Sequence, residues 1–101
     1  METPINNKLS MFKAVERICF THHGAWDNNP NFGSVLSRFV LKVTQLELLL
    51  ASKHSETGTK VNELLTEIED LLQTRIDAMV RFFQGKQQVF FSHYHRVRQA
   101  F

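Results

Sequence analysis

Between Thr59 and Phe83 apolar residues return every three or four positions: Val61, Leu64, Leu65, Ile68, Leu71, Leu72, Ile76, Met79, Val80 and Phe83. That period lays one wide apolar stripe along a long α-helix. Asn62, Glu63, Thr66, Glu67, Asp70, Thr74, Asp77 and Arg81 fall on the opposite side. Charge is ordered along the axis as well. Glu63, Glu67, Glu69 and Asp70 come early, Arg75 and Arg81 late, which is the polarity a helix dipole favours. Such a rod is stabilised mainly by what packs on its apolar face, so the rest of the chain must supply partners.

Three further segments repeat the pattern. Leu9, Phe12, Val15, Ile18 and Cys19 form one face of a helix over 8–21, with Lys13, Glu16 and Arg17 turned to water. Residues 1–7, with Pro4, are expected to be a frayed start, and Gly24 to close the helix in the left-handed conformation. Asp27, Asn28 and Asn29 favour turns through side-chain bonds to nearby backbone, and Asn29 followed by Pro30 is a helix-start signal. Trp26 and Phe32 are expected to fold back as plugs at this end of the molecule. A second helix over 31–53 carries Phe32, Leu36, Phe39, Val40, Val43, Leu46 and Leu50. His54 to Gly58 link it to the long helix, 59–84, with Thr59 as its expected N-cap. After Gln84-Gly85-Lys86, a fourth helix over 87–100 presents Phe90, Phe91, Tyr94 and Val97, with Phe101 beyond it. No stretch alternates apolar and polar residues as a half-buried strand does. The expected fold is all-α: one domain, 1–101, forming a small antiparallel bundle of about four helices. Whether the fourth helix closes the ring or docks loosely on a three-helix core stays open.

Composition narrows the picture little. Hydrophobic residues at 43% and charged residues at 22% lie close to globular averages, which excludes wholesale disorder. A net charge of +2 does not by itself point to nucleic acid. The single cysteine, Cys19, rules out an intramolecular disulfide and fits a reducing, cytoplasmic setting. No apolar run approaches the roughly 20 residues needed to span a bilayer.

Ala14-Val15, Trp26, Pro30-Asn31-Phe32, Thr57-Gly58-Thr59-Lys60 and Phe91-Ser92-His93-Tyr94 with Arg96 and Arg98 follow one another along the chain. In that order they resemble a group of uncharacterised bacterial all-helical proteins. The resemblance implies a helical bundle and carries no activity. Members of that group are longer, so the chain is expected to be either a complete small bundle or half of a larger one.

Several constellations could carry chemistry. Cys19, His22 and His23 stand at i, i+3 and i+4, a spacing able to hold a metal, while His93 and His95 point roughly 200° apart on a helix. The plainer reading is a core cysteine with histidines at helix ends, and no metal or other cofactor is expected. Arg17 and His22 reproduce the Arg-x4-His spacing of certain bundle ribonucleases, but in the first helix instead of late in the domain. Glu63, Glu67, Glu69 and Asp70 lack the histidine partners of a di-iron bundle and read as a solvated face. After Asp77 no acid follows, and His93, Tyr94, Arg96 and Arg98 mix base with aromatic, making the fourth helix a candidate surface for nucleic acid or an acidic partner. Leu41, Leu48, Leu49, Phe90 and Phe91, together with Val35 and Phe82, exceed what one seam can bury and form a candidate association surface. The functional expectation is a non-enzymatic bundle acting through protein–protein contacts as a homodimer, with nucleic-acid association, or a bundle ribonuclease, as the alternative.

Overall fold

A computed structural model describes residues 4–52 and 57–100. Helix α1 spans Pro4–Thr21 and α2 spans Pro30–Ala51. Helix α3 occupies residues 57–83: regular α-helix over Thr57–Leu71, a π-helical turn over Leu72–Ile76, α-helix over Asp77–Val80 and a closing 3-10 turn over Arg81–Phe83. Helix α4 spans Gln88–Ala100. No strand occurs among the described residues, and none of their helices is long and apolar enough to cross a membrane.

The order in space is a ring of antiparallel neighbours. Lys13 bonds Glu47 between α1 and α2, and Lys42 pairs with Glu67 between α2 and α3. Arg98 pairs with Asp77 between α4 and α3, and His22 meets His93 between the end of α1 and α4. The fourth helix therefore closes the ring, running alongside α1 as well as against the end of α3.

The apolar stripes meet inside. Phe12, Phe32, Phe39 and Phe90 are fully buried with Leu36, Leu46, Ile68, Leu72 and Ile76, and Phe12 meets Phe39 edge-on at 6.0 Å. All ten apolar positions of the α3 stripe belong to this core or pack against it. The π turn follows from their spacing. Ile68, Leu72, Ile76 and Val80 are four apart, and on a 3.6-residue helix each such step turns the stripe by about 40°. Three steps would carry it about 120° from the core, and one wider turn winds it back. All four residues are buried.

Several expected details differ. Helix α1 begins at Pro4, since a first-turn proline lacks only an N–H that would go unbonded anyway. Glu16 is buried, not turned to water. Gly24 does not adopt a positive φ. Instead α1 runs into a 3-10 turn at His23–Ala25, and the Trp26 indole N–H donates to the Cys19 carbonyl at 2.8 Å, satisfying an end group that a left-handed glycine would otherwise serve. Helix α3 is already formed at Thr57, so Thr59 sits within its first turn. Lys53, the His54 to Glu56 part of the link, and Phe101 lie outside the described residues. At α2 the expected start is found: the Asn29 side chain accepts from the Phe32 N–H at 3.1 Å, with Pro30 in the first turn.

Candidate functional site

Chemistry-bearing side chains collect in three places. The first is the end of the bundle where α1 stops. Trp26 lies 5.2 Å from Phe32, and Phe32, Phe83 and Phe90 pack edge to face, so the expected plugs are in place. Beside them His22 Nε2 and His93 Nδ1 are 3.0 Å apart, one ring donating and the other accepting. The two histidine clusters of the sequence thus meet, but through one member each. His23 turns away toward Asp27 at 3.8 Å, and His95 stacks on Phe91 with rings 5.9 Å apart and 7° from parallel. Cys19 is fully buried, and burial pushes its thiol up to about 12. Among the described residues no three His, Cys, Asp or Glu side chains gather closely enough to hold a metal ion. Arg17 is exposed, while His22, its Arg-x4-His companion, is half-buried and engaged with His93.

The second place is the α3–α4 contact just past the π turn. Arg98 donates from Nε to Asp77 Oδ1 at 3.0 Å and from Nη2 to Asp77 Oδ2 at 2.9 Å, a two-pronged bond. The Tyr94 hydroxyl also donates to Asp77 Oδ1. Burial, reinforced by that bond, raises the Tyr94 phenol, and the bonds to Asp77 raise the Arg98 guanidinium. Of the candidate polar surface on α4, therefore, Tyr94 is buried, His93 is half-buried against His22, and Arg98 is held by Asp77. Arg96 alone stays exposed. The sequence placed Asp77 on the solvent side; the π turn is what aims it at α4.

The third place is the outer side of α2. Leu41 is 59% exposed and Leu48 is 68% exposed, while Leu49 is half-buried. Leu48 and Leu49 with Leu64 of α3 make the apolar floor of an open groove of about 440 Å³, edged by Gln45, Lys60, Glu63 and Glu67. The other two members of the expected association surface belong elsewhere. Phe90 is fully buried and Phe91 is half-buried on α4. Opposite the α2 core stripe stand Ser34, Ser37, Leu41, Thr44 and Leu48, all exposed and alternating by three and four. None of the five is charged, and exposed Arg38 lies beside them, four residues after Ser34 and three before Leu41. In the sequence the leucines count as surplus apolar bulk; their 3-4 spacing with Ser34, Ser37 and Thr44 is the signal that sets them in a line.

One further buried carboxylate stands out. Glu16 Oε2 is 3.3 Å from Lys13 Nζ, which also reaches Glu47, while Glu16 Oε1 finds no hydrogen-bond partner among the described residues. Burial raises the Glu16 carboxyl above the ordinary range, and its lysine neighbour only partly offsets this.

Compared with known protein families, with characterised proteins and with solved structures, the chain matches none.

Proposed function

We propose that this chain is a non-enzymatic helical module of the cytoplasm that works through protein–protein contact, its first partner being a second copy of itself bound through α2. The observation that carries the reading is the uncharged outer seam Ser34–Ser37–Leu41–Thr44–Leu48. A solvent-facing helix side is ordinarily charged, as α3 is at Glu63, Glu67 and Asp70. Spacing by three and four is that of a helix seated against another helix, and its serines and threonine allow close approach while its leucines supply apolar area. Two copies related by a twofold axis would bury the same seam from both sides.

Rims next to the seam suit the same partner. Lys60 and Glu63 have opposite charge, are exposed, and make no ion pair among the described residues, so a twofold arrangement can face one copy's lysine with the other's carboxylate. Light scattering coupled to size exclusion tests the proposal. The expected result is a mass of twice 11.8 kDa at tens of micromolar. A mass of 11.8 kDa persisting to high micromolar concentration removes it.

Nucleic-acid association through α4 is less well supported, because only Arg96 of its four candidate side chains is exposed and unengaged.

A further inference from the structure

The cleft beside the Asp77–Arg98 clamp has an electrostatic character that the clamp does not use up. It lies between the last turns of α3 and the length of α4 from Phe91 to Gln99, measures about 310 Å³, and is floored by Val80 and Phe91. That is the lower end of the size range of small-molecule pockets. Among the described residues Asp77 is the only acid in its lining, and both Asp77 oxygens are taken, Oδ1 by Tyr94 and Arg98 Nε and Oδ2 by Arg98 Nη2. Its charge is thereby answered within the wall. No acid follows Asp77 in the sequence through Phe101.

What remains are donors. Arg81 is exposed in the lining from α3 and makes no ion pair among the described residues. From α4 come His95 and, one turn later, Gln99. Phe91 lies flat against His95, extending the apolar wall up to the donors. Asp77, the first residue after the π turn, lines this cleft, and such widened turns recur where a helix has to aim side chains at a site.

We infer that this cleft binds a small organic oxyanion, a carboxylate or phosphate monoester head on a short apolar or planar body. Arg81 supplies a planar fork for the head, His95 and Gln99 supply donors from the facing helix, and the body lies over Phe91 and Val80. Asp77, Tyr94 and Arg98 are positioning residues that hold α3 and α4 at the right separation. The inference stands on different residues from the α2 seam, and either can fail without the other.

Titration of 15N-labelled protein with benzoate, phenyl phosphate, inorganic phosphate and chloride at matched ionic strength tests it. Benzoate or phenyl phosphate is expected to give saturable amide shifts at Arg81, Phe91, His95 and Gln99, with inorganic phosphate at least about tenfold weaker and chloride without effect. Whichever organic head binds tighter identifies the class. Arg81→Ala is expected to weaken binding about tenfold, the loss of a charge-assisted bond. His95→Ala weakens it less, and Arg96→Ala, which removes the same charge from outside the cleft, leaves it unchanged. Shifts that never saturate, or an equal loss in Arg81→Ala and Arg96→Ala, would mean general charge attraction and would overturn the site.

Discussion

The two ends of this bundle solve the problem of a small core differently. Where α1 stops and α4 starts, aromatic rings close the structure: Phe32 touches Trp26, Phe83 and Phe90, and the His22–His93 bond sits beside them. Buried polar groups at this end find each other, as the Trp26 indole finds the Cys19 carbonyl. Toward the far end of α2 the chain uses leucines instead, and Leu41 and Leu48 stay in water on a seam without charge. At the aromatic end Phe20, Phe82 and Val89 are exposed as well, but they come from three different helices and form no such line along one helix. The contrast teaches that apolar excess is not one property. At the aromatic end most of it is core volume that the fold consumes, with Phe20, Phe82 and Val89 left scattered at the rim; on α2 it is a line of surface that the isolated chain does not cover.

The largest expected effect separates the two ends directly. Phe32→Ala should lower unfolding free energy by about 3–5 kcal/mol in denaturant titrations, by emptying a fully packed site. Leu48→Ala, measured at concentrations low enough to keep the chain monomeric, should change it by no more than about 0.5 kcal/mol. Similar losses at both sites would erase the distinction between core and cover.

Next comes the clamp between α3 and α4. Asp77→Ala leaves Arg98 and the Tyr94 hydroxyl without their acceptor. Because the ion pair is about one-quarter exposed, the cost is set below that of a fully buried pair, at about 2 kcal/mol. The loss should appear in thermal melts as a drop of several degrees. An unchanged melt would show that α4 does not depend on Asp77 for its place.

Glu16 offers a change in the opposite direction. Its carboxyl is held above the ordinary range, so the folded chain binds the proton more tightly than the unfolded chain does. The stability this contributes is present at pH below the ordinary carboxylate value and is lost as pH rises through the raised one. Above that range the carboxylate carries its charge in a buried position, with Oε1 unbonded among the described residues. Glu16→Gln should therefore stabilise the chain by about 1 kcal/mol at pH 7 and give little or no gain near pH 4, read by melts at both pH values. A destabilised variant at pH 7 would show that the Lys13 bond outweighs the burial cost.

The smallest effect concerns accessibility. Cys19 is buried and its thiol is pushed up to about 12, so a thiol reagent at pH 8 should label the native chain only at the rate of its opening and the unfolded chain at once. Rapid native labelling would mean that the aromatic end is looser than its packing implies.

Periodicity made the helices legible, because a stripe such as Leu65, Ile68, Leu72 needs only counting. Local signals of short reach, Asn29 with Pro30 above all, also read correctly. What escaped were features set by two helices together. Glu16 looked solvent-facing on its own helix, yet α1 and α2 meet over it at Lys13 and Glu47. Asp77 looked polar and outward until a π turn rotated it toward Arg98. That turn was itself written in the four-residue steps from Ile68 to Val80, a spacing that a uniform helix does not satisfy. For the candidate surfaces, charge and apolar excess could be counted in advance. Whether Arg98 was spent inside the fold, or Leu48 left outside it, depended on neighbours far away in sequence.

Sedimentation of Leu41→Glu/Leu48→Glu beside the parent chain tests the central claim most directly. The account predicts a dimeric parent, and a variant that sediments as a monomer while keeping the helical circular dichroism of the fold. A parent that is monomeric throughout, or a variant that stays dimeric, would contradict it.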